Sequence, residues 1–439
     1  MYLLYSLLLV IGVIAGSPWF LYQAIRHRKY VGSARQRLGL LPVSFNLDAD
    51  PSIWVHAVSV GEVLAARPLL EALKARYPRL RLYLSTTTLA GQQLARRQQD
   101  VDGVFYFPFD FAFIVRRVLA IVRPALVVLV EGEIWPNLLR ECRKTGVKTI
   151  VVNGRVSNRS YPRYRLVRPL FRRVLADLDR LCMQSEESAR RIVAIGAQPE
   201  RVVVTGSLKF DAAALPALPH GRDRVLRFFR VSRDRVVVVA GSTMRGEDVY
   251  VLRAFRRVKG MSPQALLILA PRHAERFDEA VHVARGEGFA TVRRSDLPID
   301  GDPRADVVVL DSIGELAQVY QLATVAFVGG SLVESGGHNI LEPAALGRPI
   351  VFGSHMTNFA EIASEFLSHD AAVQVGSPQA LEQALVDLLL DPVRRASLGA
   401  AARALVEANQ GARDRTLDAI ATLLPLTRTA TIHPFRRVH

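Results

Sequence analysis

A glycine-rich stretch between two apolar runs is the first segment whose residue types suit chemistry. The sequence "SGGHNILEPAALG", residues 335–347, follows the run "VAFVGG" and precedes "PIVFG". Local structure explains part of it, because Asn339 can cap the helix that follows, Glu342 has the capping-box spacing, and Gly347 suits the helix end. A well-formed helix start is therefore one interpretation of this stretch.

The glycines of this region favour a second interpretation. Glycine carries an entropic penalty, and four of them surround this turn: Gly329, Gly330, Gly336 and Gly337. Together they would let a ligand approach the backbone closely, and a helix N-terminus offers free N–H groups and a partial positive charge to a phosphate. We predict that a nucleotide binds here, with Glu342 holding its ribose hydroxyls.

Three carboxylates and a lysine follow other apolar runs. Glu62, in "HAVSVGEVLAARP", can act as a general base or only as a favourable partner of a helix dipole. Glu131 and Glu133, in "VEGEIWPN", are spaced too closely to form a metal site alone, and solvated surface carboxylates are the alternative. Lys209, in "TGSLKF", lies at a predicted domain junction.

Metal and nucleophile motifs are missing from the sequence. It contains no HExxH, CxxC pair, P-loop or GxSxG, and "DAD" at 48–50 precedes the first strand of the body, where it cannot serve as a transferase metal motif. A transferase without a metal must stabilise its leaving group with fixed cations and helix dipoles, which suits a monophosphate. We predict no metal and no cofactor. Two cysteines, Cys142 and Cys182, form no disulfide framework and indicate a reducing compartment.

The residue charges favour an anionic partner. The 439 residues include 57 basic and 41 acidic side chains, a net charge of +16. Nucleic acid, anionic lipid or a phosphorylated substrate would suit this balance. A membrane-tethered nucleic-acid binder is a weak alternative, because the sequence lacks interleaved exposed aromatics and any known binding module.

Two sets of apolar runs alternate with helical stretches and would position these residues. The first set extends from 52 to 205, and the second follows a Pro- and Ala-rich passage. Their continuous hydrophobicity is typical of parallel strands covered on both faces. We predict an α/β fold with two doubly wound, Rossmann-like domains whose ligands bind at the carboxyl ends of the strands. The predicted division is 1–25 anchor, 26–45 basic juxtamembrane segment, 46–210 first domain, 211–230 linker and 231–439 second domain with C-terminal helices.

Residues 1–25 contain no charged side chain. As a helix they would extend about 37 Å, which is enough to cross a bilayer. Positive charges follow at Arg26, Arg28, Lys29, Arg35 and Arg37, so we predict a single-pass anchor with a cytoplasmic body. A buried helix of the first domain is the alternative.

Several motifs together resemble one enzyme family. The segments "HAVSVGE", "EGEIWPNLL", "VVNGRVS", "TGSLKFD", "APRHAERF", "GEL" and "GGHNILEPAALGRPIVFG" occur in the order seen in bacterial 3-deoxy-D-manno-octulosonic acid (Kdo) transferases. The resemblance extends from the N-terminal segment to about residue 400. It implies a glycosyltransferase-B architecture and transfer of Kdo from CMP-Kdo to a lipid A precursor in lipopolysaccharide biosynthesis, at the cytoplasmic face of the bacterial inner membrane. A sugar-nucleotide epimerase shares the architecture and is the alternative.

The resemblance also implies residue roles. Glu62 would accept the proton of the acceptor hydroxyl, and Glu131 and Lys209 would stabilise the transition state of a direct, inverting displacement. The implied CMP-binding residues are Pro271, Arg272, Ile313, Gly314, Glu315, Asn339, Ile340, Leu341 and Glu342. The sequence departs from the family at Gly132, where many members have Thr, and this leaves the role of Glu133 open.

The segment 155–173 has seven arginines and no acidic residue. Arg163, Arg165 and Arg168 are candidates for contacting the acceptor's phosphates and an anionic lipid surface, since Arg suits phosphate oxygens. A solvated helix face is the alternative.

Overall fold

The computed structural model of this chain describes residues 2–27, 31–157, 160–213, 229, 231–232 and 234–424. Arg28, Lys29, Arg159 and most of the predicted linker, 214–228, lie outside the described residues. The chain divides into two compact units, one comprising residues 1–212 with 410–439 and the other residues 213–409.

Each unit is built on a seven-stranded sheet in which every pair of neighbouring strands is parallel. The strands of the first unit are β1 (Ser52–His56), β2 (Arg81–Thr86), β3 (Gly103–Tyr106), β4 (Pro124–Val130), β5 (Lys148–Gly154), β6 (Arg180–Met183) and β7 (Val202–Val204). The strands of the second unit are β8 (Val237–Thr243), β9 (Leu266–Pro271), β10 (Thr291–Arg293), β11 (Val307–Val309), β12 (Val325–Val328), β13 (Ile350–Gly353) and β14 (Val373–Val375).

Helices occupy the connections between these strands, as parallel pairing requires. In the first unit they are α1 (Tyr2–His27), α2 (Val31–Arg37), α3 (Val60–Arg76), α4 (Leu89–Ala95), α5 (Ala112–Val122), α6 (Pro136–Thr145), α7 (Tyr161–Leu166), α8 (Arg168–Leu175), α9 (Glu186–Ile195) and α10 (Leu208–Ala213). The helices of the second unit are α11 (Glu247–Met261), α12 (Phe277–Gly286), α13 (Leu316–Val319), α14 (Leu341–Ala345), α15 (Ala360–Ser368), α16 (Pro378–Leu390) and α17 (Pro392–Ala408). The last helix of the chain is α18 (Ala412–Leu423).

The strand orders create one switch point in each sheet. The orders are β3-β2-β1-β4-β5-β6-β7 and β10-β11-β9-β8-β12-β13-β14. β1 therefore lies beside β4, and β8 beside β12, and the connections on the two sides of each pair run in opposite directions. Ligands of doubly wound sheets bind at the carboxyl ends of such pairs. The predicted pair of doubly wound α/β folds is confirmed.

Continuous apolar strands produced these sheets because both faces of each sheet are covered. All five residues of β1 are buried, and so are six of the seven residues of β4. In the first unit, Trp54, Val127 and Leu129 belong to one core cluster, while Ile53, Val128 and Val130 belong to another. Alternate residues of one strand therefore pack into two hydrophobic layers.

The predicted N-terminal helix forms as α1, but its predicted role as an anchor is not supported. Among the residues that the structure describes, no helix is both long and apolar enough to cross a membrane. Polar side chains connect the start of α1 to other parts of the first unit: the Tyr2 hydroxyl bonds to Asp177, and Ser6 Oγ accepts from Asn137 Nδ2 at 3.1 Å.

The last helix, α18, belongs to the first unit, whereas we expected it to stay with the second. Asp211 of α10 explains this return, because its carboxylate accepts from Gly411 N at 2.8 Å and from Arg413 N at 2.9 Å. Ala412 and Ile420 of α18 are fully buried in the core of the first unit. A cap on the helix start and an apolar face thus attach α18 to a sheet distant in sequence.

We predict that Asp211→Ala loosens α18. Losing a helix cap costs about 1–2 kcal/mol, so amide hydrogen exchange across residues 412–423 should become roughly tenfold faster. Asp418→Ala is the matched control, because it removes an exposed carboxylate of the same helix whose ion pair with Arg76 spans 3.3 Å and contributes little. Equal exchange rates in both variants would contradict the capping role.

Candidate active site

Glu62 and Glu131 lie at the switch point of the first sheet. Glu62 stands in the first turn of α3, directly after β1. Glu131 follows β4, and its N–H bonds to Val152 O of β5 at 2.9 Å. Since β1 and β4 are neighbours, the parallel pairing brings together carboxylates that are distant in sequence.

Glu62 is held in place by the helix start that it helps to close. Ser59 is the N-cap of α3, and its hydroxyl donates to Glu62 Oε1 at 3.1 Å. Val58 N donates to Glu62 Oε2 at 2.7 Å. Burial and then the negative charge of Glu131 raise the pKa of Glu62 to about 7, against the opposing hydrogen bond from Val58. Both sequence interpretations thus have a basis here, because the same carboxylate caps a helix and can take up a proton near neutral pH.

Glu131 and Lys209 form an ion pair beside Glu62. Lys209 Nζ lies 3.0 Å from Glu131 Oε1, and both side chains are partly buried, with 17% and 20% of their surface exposed. Lys209 belongs to α10, which begins shortly after β7. The structure therefore places the three residues implied as catalytic in one cluster within the first unit.

Glu133 is a further carboxylate of this cluster. Burial raises its pKa, and the negative charge of Glu131 raises it further. The Glu133 charge also contributes to the raised pKa of Glu62. The neighbouring Gly132 has room for a side chain, since an added Cβ would meet only Arg155 O, at 3.6 Å. An added Cβ at this position would therefore make only ordinary van der Waals contact.

In the second unit, side chains of the protein itself contact the glycines of the stretch after β12. The buried Glu247 carboxylate accepts from the backbone N–H of Gly330, Ser331 and Leu332 at 2.6, 2.9 and 2.8 Å. A Cβ at Gly330 would collide with the His338 ring, which lies within 2.8 Å of that position. At Gly330 the predicted anion position is thus filled by an internal carboxylate.

The two glycines closer to α14 are also packed against side chains. A Cβ at Gly336 would come within 2.5 Å of the Asn358 amide, and one at Gly337 would collide with Met356. Both have positive φ, 87° and 73°. Internal packing and backbone conformation account for these glycines, so their number alone does not indicate a phosphate site.

Asn339 and Glu342 are joined by a hydrogen bond, and Glu342 also interacts electrostatically with Arg272. Asn339 Oδ1 accepts from Leu341 N at 3.1 Å, and its Nδ2 donates to Glu342 Oε1 at 3.1 Å. Glu342 thus bonds to the Asn339 side chain, not to the backbone of a capping box. Burial raises the pKa of Glu342. The hydrogen bond from Asn339 and, to a smaller extent, the positive charge of Arg272 oppose this increase. Gly347 ends the turn with a φ of 64°, as predicted for the helix end.

The other implied CMP-binding residues differ in what they expose. Pro271, Ile340 and Leu341 are buried, which leaves their backbone for any ligand contact. Glu315 forms an ion pair with Arg294, with both carboxylate oxygens 3.1 Å from guanidinium nitrogens, and accepts from Ser312 Oγ at 2.7 Å. Ile313 is 77% exposed, and Gly314 has a φ of 94°. The segment 313–315 therefore offers backbone and an apolar side chain.

Two polar residues near these clusters had no predicted role. Asn153 is a fully buried residue near the end of β5, and its Nδ2 donates to Glu131 Oε1 at 3.4 Å. His338 lies beside Arg272 and His273, whose charges add to burial and lower its pKa to about 4. Both residues stand in segments that the sequence analysis singled out, but neither has a local pattern that indicates its contacts.

The acceptor candidates lie on α7 and the start of α8. Arg163, Arg165 and Arg168 are exposed, and the Arg165 guanidinium lies 5.8 Å from the centre of the Tyr161 ring. Leu166 between them is 85% exposed. This surface combines positive charge with an exposed apolar side chain.

Comparisons with known proteins give the family. Residues 32–212 match the family described as 3-deoxy-D-manno-octulosonic-acid transferase (kdotransferase), and residues 247–405 match glycosyl transferases group 1. The chain is 34% identical over 375 residues to the 3-deoxy-D-manno-octulosonic acid transferase of Haemophilus influenzae, covering 85% of this chain and 87% of that protein. It is 36% identical over 378 residues to the enzyme of the same name from Bordetella pertussis, covering 84% and 86%.

Solved structures add a likeness of fold alone. A UDP-GlcNAc 2-epimerase from Neisseria meningitidis, bound to UDP-GlcNAc, is 11% identical with a TM-score of 0.56, covering 85% of this chain and all of that one (100%). At this identity the fold does not separate epimerases from transferases, whereas the two relatives above do. The chain belongs to the Kdo transferase family and is a glycosyltransferase.

Proposed function

We propose that this enzyme transfers Kdo from CMP-Kdo to a lipid A precursor in lipopolysaccharide core biosynthesis, with inversion and without a metal. The observation that carries the proposal is the Glu62 carboxyl, whose pKa is raised to about 7, beside the 3.0 Å ion pair of Glu131 and Lys209. A base with this pKa is matched to removing a hydroxyl proton at neutral pH.

A single displacement needs only these groups. The acceptor hydroxyl oxygen forms a bond to the anomeric carbon of Kdo while the bond from that carbon to the CMP phosphate oxygen breaks. Glu62 takes the hydroxyl proton, and CMP leaves with the bonding electrons. The Lys209 ammonium favours the negative charge that develops, and Glu131 holds Lys209 in place. One displacement at the anomeric carbon inverts its configuration.

The second unit supplies the contacts for CMP in this proposal. The exposed Arg272 offers a charge-assisted bond to the phosphate. Glu342 is a hydrogen-bond acceptor for ribose hydroxyls, and the 3.1 Å bond from Asn339 orients its carboxylate. The backbone at 313–315 completes the set.

We place the enzyme at the cytoplasmic face of the bacterial inner membrane, where a lipid acceptor would be reached. Support comes from exposed apolar residues of α1, among them Leu7, Ile11 and Ile14 at 55%, 53% and 66%. The exposed arginines of α7 and α8 offer charge to phosphates of the acceptor and of anionic lipids, at about 1 kcal/mol each.

Mass spectrometry of the product from CMP-Kdo and lipid A precursor tests the proposed reaction. We expect the acceptor mass to increase by Kdo units, with release of CMP and no loss of activity in chelator. A donor converted to an isomer without transfer would indicate the epimerase instead, and strict dependence on Mg²⁺ would contradict the metal-free mechanism.

We predict that Glu62→Gln lowers kcat by roughly 10²–10⁴-fold, because the amide keeps the shape but cannot accept a proton. CMP affinity, measured by calorimetry, should stay near wild type. Activity within threefold of wild type would rule out Glu62 as the base.

The same carboxyl should set the pH dependence of kcat/KM. Protonated Glu62 is inactive as a base, so below about pH 7 the rate should fall roughly tenfold per pH unit. Glu133→Gln removes a negative charge that raises the pKa of Glu62, so it should move this limb to lower pH. An unchanged limb would mean that Glu133 has no such influence.

We predict that Arg272→Ala weakens CMP binding by about 1–3 kcal/mol, the contribution of a charge-assisted contact. Asn339→Ala should weaken it less, since Asn339 acts through Glu342. Arg256→Ala is the control, because this arginine of α11 is exposed and bonds to Glu287. Calorimetry with unchanged affinity in both test variants would place the nucleotide elsewhere.

Replacing Arg163, Arg165 and Arg168 together by Gln should weaken binding to anionic liposomes and raise the acceptor KM. The donor KM should hardly change, and high salt should reproduce the effect on the wild type. The matched control replaces three exposed arginines of α11 by Gln: Arg253, Arg256 and Arg257. If the test variant equals the control in both measurements, the cluster is only a solvated face.

A further inference from the structure

Two neighbouring strands end in unusual backbone conformations beside the catalytic cluster. Glu131 after β4 has a φ of 63°, and Asn153 near the end of β5 has a φ of 54°. Residues other than glycine seldom adopt this left-handed region, although Asn tolerates it better than most. The pairing of β5 with β6 is irregular between Val151 and Gly154, the interval that contains Asn153. Such irregularities redirect side chains at functional edges of sheets.

The buried Asn153 amide joins two parts of the cluster. Its Oδ1 accepts from Leu208 N at 3.1 Å, which fixes the amide orientation, since a backbone N–H can only donate. The Nδ2 group is thereby directed at Glu131 Oε1, 3.4 Å away. The ammonium of Lys209, the residue after Leu208, forms an ion pair with the same oxygen at 3.0 Å.

Both ends of the ion pair therefore depend on one side chain. Asn153 holds the first residue of α10 through its Oδ1 and the Glu131 carboxylate through its Nδ2. Its side chain is fully buried, and buried amides with both groups bonded restrain their neighbours strongly. Glycine would meet the backbone requirement alone, so the amide has a further role.

We propose that Asn153 is a positioning residue that aligns Glu131 with Lys209 and directs the Glu131 charge toward Glu62. The proposal rests on the proposed function of these three residues. Asn153 acts through them and contacts neither substrate.

The test compares two substitutions that the backbone tolerates. Asn153→Gly accepts the positive φ without the amide, so it should still fold, with a Tm lowered by the loss of the acceptor for Leu208 N, while kcat falls roughly 10–100-fold. The KM for CMP-Kdo should stay within about twofold, because the proposed CMP contacts belong to the other unit. Asn153→Asp keeps the acceptor for Leu208 N but places a negative charge beside Glu131, so the acid limb of the pH profile should move to higher pH.

A matched control and a double variant separate positioning from folding. Asn137→Ala removes another buried amide of the first unit, bonded to Asp110 O at 2.6 Å, and should leave kcat unchanged. In the Glu131→Gln background, Asn153→Gly should cause little further loss, since its effect passes through Glu131. Asn153→Gly with kcat within twofold and an unchanged pH profile, or fully additive losses in the double variant, would overturn the inference. Glu62→Gln tests the proposed function separately, because an active variant would show that Glu62 is not the base.

Discussion

Two carboxylates sharing one partly buried edge of a sheet are the constraint on which the first unit depends. Glu62 and Glu131 repel each other, and that repulsion adds to burial in raising the pKa of Glu62. The protein resolves the conflict unequally. Glu131 pairs with the ammonium of Lys209, whereas Glu62 accepts from a backbone N–H and a serine hydroxyl. Glu131 thus has a cationic partner, whereas the Glu62 carboxyl, with a pKa raised to about 7, can exchange a proton near neutral pH.

In the second unit, a carboxylate of the protein itself occupies the position where a bound anion was predicted. The Glu247 carboxylate accepts hydrogen bonds from the backbone N–H groups that follow β12, at the switch point of that sheet. A carboxylate built into the fold satisfies these donors and orders the turn that leads to Asn339. The proposed CMP contacts are therefore side chains outside this set of N–H groups, the exposed Arg272 and the Glu342 carboxylate. A glycine-rich turn after a strand thus serves an internal ligand as readily as an external phosphate, because both offer oxygens to the same N–H groups.

Much of the fold was predictable because parallel strands buried on both faces are continuously apolar. The twelve strands that correspond to apolar runs were predicted from this pattern alone. β10 and β14 were not, since each has only three residues and these include polar ones, TVR and VQV. The equally short β7 and β11 each consist of three valines. The return of α18 was also missed, because the Asp211 carboxylate that caps it lies 200 residues away from Gly411.

The sequence by itself determined where strands end and which polar residues follow them, because hydrophobic periodicity and helix caps are properties of short segments. It also carried the family resemblance, and so the candidates Glu62, Glu131 and Lys209. Only the tertiary structure decided how these groups affect one another. The order of the strands sets β1 beside β4, and the left-handed conformations of Glu131 and Asn153 direct their side chains into one cluster. The pKa of Glu62, the ion pair of Glu131 with Lys209 and the bonds from backbone N–H groups to Glu247 depend on distances between residues far apart in the chain. No local pattern encodes those distances.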